Sequence, residues 1–398
     1  MIKYEKPTNW LIYDYPAIMQ EMVDAKAAIA SLNSIPFQKS WVTKLQAIEF
    51  KREIAGTSRI EGADFTPDEL DAALTEDLES LKTRSQRQAR AAKLAYEWIA
   101  TVPDDKPIDA EMIKTIHGHM VRDADDDHCP PGELRKRDDN VTFGVPKHRG
   151  VEGGSDCLET FDEFVSQLNT NFRDHDPIIQ AHIAHYHFAA MHPFLDGNGR
   201  TTRALESLIL QRAGLRKSSF ISLSNYYYEE KHGYLQALSD SRQGNHDITP
   251  FLKFCLTGVK LVCERLMDQI KTELAKAVFR DTAHDLFNRL MTKKKRVLAK
   301  RQLQILNYLL EHTWVDTQSF SNYVSQFYVN LKSPNSALER DLSHLWSINA
   351  ILLREDSYDS NIFYIKANLE WPADIDDNEF LHRLKDFPKA KSFKFLNK

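Results

Sequence analysis

His192-Pro193-Phe194-Leu195-Asp196-Gly197-Asn198-Gly199-Arg200-Thr201-Thr202-Arg203 sets a histidine, a carboxylate, a glycine turn and two arginines within twelve residues. Apolar helical sequence flanks it, Ile178 to Met191 before and Leu205, Leu208 and Ile209 after, ending at Gly214. The turn is therefore expected between two buried helices. Gly197-Asn198-Gly199 ahead of a helix lets successive backbone N–H groups converge, and the helix N-terminus adds partial positive charge, which together make an anion site. Arg200 and Arg203, three apart, share one face and can fork onto phosphate oxygens. Asp196 beside an anion site repels a bare phosphate but suits Mg²⁺ bridging phosphates. His192, with an ordinary pKa of about 6.5, suits general-base work. Phe194 is assigned wholly to packing. Taken singly, such a turn is most often only a turn, and arginines beside it are most often solvated. It is their conjunction in so short a stretch that points to phosphate chemistry.

Working outward, Asp176-Pro177 starts the helix that enters the turn, and Leu158, Phe161, Phe164, Val165, Leu168 and Phe172 carry helical periodicity before it. Between Asp123 and Gly154 the character changes. Pro130-Pro131-Gly132, the β-like run Val141-Thr142-Phe143, Pro146 and three glycines suggest a hairpin or flap. Asp109 is expected to cap a helix carrying Met112, Ile113, Ile116 and Met120. Thr66-Pro67-Asp68-Glu69 reads as a helix start with a capping box. Before it, Trp41 to Ile60 repeats apolar residues at helical spacing and should stop near Gly62.

On the C-terminal side, helical sequence from about 225 to 290 runs into the basic stretch Lys293-Lys294-Lys295-Arg296, with Lys300-Arg301 close behind, where a domain boundary is placed. Leu303, Ile305, Leu306 and Leu309 suggest one helix and Ser336 to Leu345 a second. Ile351-Leu352-Leu353 and Ile362-Phe363-Tyr364-Ile365 suggest two strands joined by a polar turn. Helices followed by a hairpin match a winged helix-turn-helix.

Composition frames these readings. The chain has 398 residues, 42% hydrophobic and 27% charged, with a formal net charge of -5, the profile of an ordinary globular protein of two or three domains. The charge makes no global case for nucleic acid, although local basic patches remain. Cys129, Cys157, Cys255 and Cys263 show no CxxC spacing, which favours a reduced chain over disulfides or structural zinc. The first ten residues lack the apolar core of a signal peptide, and no run approaches the ~18 apolar residues that span a bilayer. A cytoplasmic location without a membrane is expected. His182, His185 and His187 lack the HExxH pattern, and His117 and His119 face different ways on a helix. No GxxxxGK[ST] or GxGxxG is present, so neither a P-loop nor a Rossmann site competes for a nucleotide.

The stretch from His192 to Arg203 matches the HPFx(D/E)GNGRxxR signature of Fic-domain proteins without a departure, and the resemblance covers roughly residues 100 to 260. It implies a mainly α fold: a Fic-type helical core with a β-hairpin flap, and beyond it the small C-terminal winged helix-turn-helix (α+β). The organisation implied is an N-terminal helical region at 1–100 with an inhibitory helix at about 43–62. A catalytic core at 101–260, a helical linker at 261–296 and a winged-helix-like domain at 297–398 follow. The activity implied is transfer of AMP from ATP to a Ser, Thr or Tyr hydroxyl of a target protein, or of the chain itself, with Mg²⁺.

By that resemblance His192 is the base and Asp196 the metal ligand. Gly197, Asn198 and Gly199 cradle the α- and β-phosphates, and Arg200 and Arg203 engage the β- and γ-phosphates. Phosphorylating relatives carry lysine in place of the second glycine, so Gly199 favours nucleotidyl over phosphoryl transfer. Val141, Phe143, Gly144 and Val145 resemble the flap that pins a target segment by strand addition. Lys147-His148-Arg149 stands there instead of a second proline. Tyr234 occupies one position of a tyrosine pair that lines the nucleotide pocket in relatives, with a plain core aromatic as the other reading.

Upstream, Thr57-Ser58-Arg59-Ile60-Glu61-Gly62 resembles the (S/T)xxxE(G/N) inhibitory motif of many Fic proteins. Thr57 and Glu61 lie one helical turn apart, and the resemblance has Glu61 pair with Arg203, denying the γ-phosphate its partner. Removal of AMP, or use of another nucleotide, are the nearest alternatives. The rival from another class is a DNA-binding regulator. In that reading Ser333, Asn335, Ser336 and Arg340 lie on a recognition helix and the basic run at 293–301 meets phosphates. Such folds also serve as protein-interaction or dimer modules, so a homodimer stays open.

Overall fold

Short polar side chains cap the starts of several helices. The computed structural model describes residues 2–35, 39–144, 146–214, 221–289, 293–356, 363–376, 378–380 and 382. After a two-residue strand β1 (Ile2–Lys3), Asp14 accepts from the Ala17 N–H and opens α1 (Tyr15–Ser34), which buries Ile18, Met22, Ala25 and Leu32 along one face. Helix α2 (Lys39–Ile60) ends as expected, with Gly62 at φ 94° just beyond it. The Thr66–Glu69 capping box forms in full and starts α3 (Pro67–Thr75). A second box, Thr83 with Gln86, was not anticipated and starts α4 (Arg84–Thr101). Asp109 caps α5 (Ala110–Val121) through the Met112 N–H at 2.7 Å.

The expected hairpin is present as β2 (Thr142–Phe143) and β3 (His148–Arg149), antiparallel with Phe143 opposite His148. The structure adds a third strand. β1 pairs parallel with β3, Ile2 opposite His148, giving the order β1-β3-β2. Two residues carry no periodicity, which is why the sequence did not signal β1. Strand β2 is left at the edge. Val145 lies outside the described residues, as do Ile362, the turn before it, and the side chains of Lys293 to Arg296.

Helices α6 (Ser155–Asn169), α7 (Pro177–Met191) and α8 (Asn198–Arg212) build the core under the hairpin. In α7 every residue from Ala181 to Met191 is buried, as befits a helix apolar on all sides. Helices α9 (Leu223–Glu229), α10 (Lys231–Gln243) and α11 (Thr249–Asn288) follow. Gly56 of α2 lets that helix lie on α9: a Cβ there would fall 2.5 Å from the Ser224 and Asn225 backbones.

The chain divides into two compact units, Met1–Met267 and Asp268–Lys398, and the division falls inside α11. The second unit contains α12 (Lys293–Glu311), β4 (Val315–Asp316), α13 (Thr317–Val324), α14 (Pro334–Ser347), β5 (Ile351–Glu355), β6 (Phe363–Ala367) and α15 (Trp371–Asp374). Its sheet is antiparallel in the order β4-β6-β5. Helix α13 and strand β4 were not read from the sequence. Its core joins Ile305, Leu306 and Leu309 of α12 to Leu342 and Leu345 of α14 and Trp371. Among the described residues no helix is long and apolar enough to cross a membrane. The four cysteines are buried and unpaired.

Candidate functional site

Helix α7 ends on His192, whose left-handed backbone (φ 53°, ψ 62°) turns the chain toward α8 while its N–H still donates to the Phe188 carbonyl at 3.1 Å. A non-glycine residue there is held against an intrinsic cost, and Arg135 supplies the hold. Its buried guanidinium donates to the carbonyls of His192 (2.7 Å), Asp139 (2.7 Å) and Val151 (2.5 Å). Nothing in the sequence reading singled out Arg135.

The His192 ring is equally constrained. Nδ1 lies 2.8 Å from the Ala189 carbonyl, an obligate acceptor, so Nδ1 carries the hydrogen and Nε2 keeps its lone pair. Phe143 of the flap stacks on the ring at 3.8 Å and 10°, and Arg242 lies 5.0 Å from the Phe143 ring centroid. Burial pushes the His192 pKa down to about 4. The Ala189 bond and Glu61 pull the other way, and Arg242 and Arg135 add to the fall. The protein therefore keeps this imidazole neutral at pH 6, where an unperturbed histidine is roughly three-quarters protonated. Ring-nitrogen NMR of ¹⁵N-histidine protein should show His192 unprotonated at pH 6; an imidazolium pattern there would contradict this.

The turn is closed by Asn198, which accepts from the Phe194 N–H and donates to the Phe194 carbonyl, both at 2.9 Å. Gly197 sits at φ 70°, and a Cβ on it would strike Val121 at 2.7 Å. Phe194 is buried and stacks on His117 at 3.7 Å. The Nδ1 of His117 accepts from Gly132 N–H, so its Nε2–H donates to the Asp196 carbonyl at 3.1 Å. Cys129 accepts from the Asp196 N–H at 3.3 Å. His117 and Cys129 thus set the Asp196 backbone, and neither was foreseen in that role.

The Asp196 carboxylate stays 43% exposed. Burial alone would raise its pKa, but bonds from His128 and the Gly197 N–H, with Arg200 nearby, hold it below the usual range. Arg200 is almost fully buried, pairing with Asp125 at 2.6 Å and donating to the Met120 carbonyl at 3.0 Å.

Arg203, also buried, faces α2. Its Nε donates to the Thr57 hydroxyl (2.9 Å), and its Nη2 to the Thr57 carbonyl (3.0 Å) and to Glu61 (2.7 Å). The Thr57–Glu61 spacing read from sequence thus meets the second arginine. Burial would raise the Glu61 carboxyl, but Arg203 prevails and lowers it. Glu61 also lies over the glycine turn: a Cβ on Gly199 would come within 2.0 Å of its Oε1. The chain therefore places a carboxylate of its own over the turn that opens α8.

Tyr234 is buried behind Arg203, its hydroxyl 2.8 Å from His185 Nε2 and its ring stacked on Tyr227 at 4.9 Å. His182 and His185 converge on Glu206, at 2.7 and 3.1 Å, and Tyr227 donates to the same oxygen at 2.8 Å. Both histidines lie buried in the core around Glu206, which stands one turn beyond Arg203 and was missed in the sequence. Within the flap, Val141 and Phe143 are half-buried and Gly144 is exposed at φ 73°.

Residues 107–210 match the Fic/DOC family. The protein adenylyltransferase Fic of Aedes aegypti is 32% identical over 146 residues, which is 36% of this chain and 25% of that protein. The corresponding protein of Nematostella vectensis is 38% identical over 78 residues, 20% of this chain and 16% of that one. The chain thus spans a quarter or less of the length of these curated relatives. Among solved structures, Fic-1 (residues 134–508) from C. elegans superposes with a TM-score of 0.54 at 21% identity, covering 64% of this chain and 73% of that one. A Fic family protein from Desulfovibrio desulfuricans G20 gives 0.52 at 18% identity, covering 92% and 98%. These two likenesses concern the fold alone. The chain carries a Fic/DOC domain within a mainly helical fold.

Proposed function

We propose that the Fic/DOC domain transfers AMP from ATP to a Ser, Thr or Tyr hydroxyl of a target protein or of the chain itself, and that Glu61 restrains it. The observation that carries this reading is the His192 Nε2 lone pair, fixed by the Ala189 bond beside the anion turn that opens α8. A target segment adds to the edge strand β2 and brings its hydroxyl to Nε2. The hydroxyl proton passes to Nε2, the oxygen bonds to the α-phosphorus, and pyrophosphate leaves. The N–H groups at the start of α8 receive the α- and β-phosphates, and Arg200 and Arg203 receive the β- and γ-phosphates. Catalysis of this kind is mostly positioning and charge neutralisation.

Asp196 fits a divalent cation, being anionic, half-exposed and fixed at its backbone by His117 and Cys129. Mg²⁺ bound there would neutralise phosphate charge. The reading is tested by incubating the protein with ATP labelled at either the α- or the γ-phosphorus. Protein-bound label is expected from the α position alone, and label from the γ position alone would replace nucleotidyl with phosphoryl transfer.

In the second unit the order α12, β4, α13, α14 and then the β5–β6 hairpin supports a winged helix-turn-helix, with Ser333, Asn335, Ser336 and Arg340 exposed at the start of α14.

A further inference from the structure

We propose that His128 is a second protein ligand, beside Asp196, of the divalent cation that accompanies the nucleotide, and that the pair favours manganese(II) over magnesium. This rests on the reading above that Asp196 holds such a cation.

His128 lies on the loop between α5 and β2, 68 residues from Asp196 in sequence, yet its Nε2 sits 2.9 Å from Asp196 Oδ2. That separation is the cis edge of an octahedron with bonds of 2.0–2.1 Å, about 3 Å, so both atoms can face one ion without moving apart. The other ring nitrogen is already held: Nδ1 lies 2.7 Å from Asp127 Oδ1. A carboxylate on the far nitrogen is the usual outer partner of a metal-bound histidine, because it fixes the ring; here Nε2–H donates to Asp196, and the ion takes the place of that proton. His128 and Asp196 are each 43% exposed, so an ion arriving with phosphate and water can reach both.

Asp125 completes a trio whose ligand atoms all lie within 4.8 Å of one another, but it is spoken for. It is buried, and Arg84 Nε (2.7 Å), Gln88 Nε2 (3.0 Å) and Arg200 Nη1 (2.6 Å) occupy its oxygens. The available set is therefore one imidazole and one carboxylate. Arg84 and Arg200 approach Asp196 no nearer than 3.9 and 3.7 Å; Arg84 Nη2 also lies 3.4 Å from His128 Nε2, so an ion entering there displaces this exposed arginine. Magnesium prefers an all-oxygen shell and keeps its waters, whereas manganese(II), the weakest binder of the first-row series and also at home among oxygen ligands, admits an imidazole more readily than magnesium does.

The test uses the full chain with ¹⁵N-labelled histidine, manganese(II) and an ATP analogue carrying methylene between the α- and β-phosphorus. Pulsed EPR should show ¹⁵N coupling from a directly bound imidazole in the wild type and none in His128→Ala. The same variant should weaken manganese binding about tenfold and magnesium binding clearly less. Protein-bound manganese that depends on Asp196, tested with Asp196→Ala, but shows no ¹⁵N coupling would overturn the role of His128 and leave Asp196 standing. Absence of any Asp196-dependent manganese would overturn both.

Discussion

His192→Ala is expected to lower transfer of α-phosphorus label by about 10²–10⁴-fold, the contribution of a positioned general base. The expectation rests on how fully the fold commits this ring. Nδ1 is tied to Ala189, the backbone carbonyl to Arg135, and one face to Phe143. Few other orientations of the ring remain. Nucleotide affinity should change little, because the turn is closed by Asn198 on Phe194 without help from the imidazole. Alanine at φ 53° carries a penalty of roughly 1–2 kcal/mol for left-handed backbone, so a loss of rate could be mistaken for a loss of fold. His192→Asn separates the two, since asparagine tolerates that conformation but supplies no base. Both variants should be inactive while His192→Asn melts near the wild type. Retention of more than about a tenth of the labelling by His192→Asn would remove His192 from the role of base.

What could be read in advance follows the range of each interaction. The motif was legible because its chemistry is bunched: His192, Asp196, the glycines and both arginines are neighbours in sequence. Caps were legible for the same reason, Thr66 with Glu69 being three residues apart. The Thr57–Glu61 pair was found through its resemblance to the (S/T)xxxE(G/N) motif, although its partner is 142 residues away from Glu61. Arg135 was not legible, because its partners are backbone carbonyls, one of them 57 residues distant, and a carbonyl leaves no mark on composition. His117 and Cys129 act on Asp196 through its backbone in the same way. Glu206 reads as one more polar residue on a helix until the fold brings His182, His185 and Tyr227 onto a single oxygen. Side-chain chemistry clustered along the chain is visible in a sequence; support delivered through backbone atoms is visible only in the fold.

The same distinction shapes the contact between Glu61 and Arg203, where a motif at the end of α2 meets a buried arginine supplied by the core. Glu61→Gly is expected to raise transfer of α-label by roughly 10- to 100-fold. Two bonds from Thr57 of α2 and one from Glu61 just beyond it hold Arg203, and the Glu61 bond is the one made by a charge. A hydrogen bond between charged groups is worth about 1.5–3 kcal/mol, which corresponds to about 10- to 150-fold. Glu61 is 37% exposed, so solvent screening takes the expectation below the upper end. Removing the carboxylate also clears the space above Gly199, where Glu61 Oε1 would lie 2.0 Å from any added Cβ. An anionic phosphate and the Glu61 carboxylate cannot share the turn, so the substitution relieves both competition for Arg203 and repulsion at the anion site.

Thr57 should hold Arg203 in place after Glu61 is gone, through its hydroxyl and its carbonyl, so activation should not come at the expense of a misplaced arginine. Adding Arg203→Ala to Glu61→Gly should abolish the gain, because in the proposed function the freed guanidinium is what receives the γ-phosphate. Glu61→Gln provides the intermediate case: it keeps the shape above Gly199 but loses the charge on Arg203, and should fall between wild type and Glu61→Gly. Equal labelling by the wild type and Glu61→Gly, with both folded, would assign the contact to stability and leave the site without this restraint.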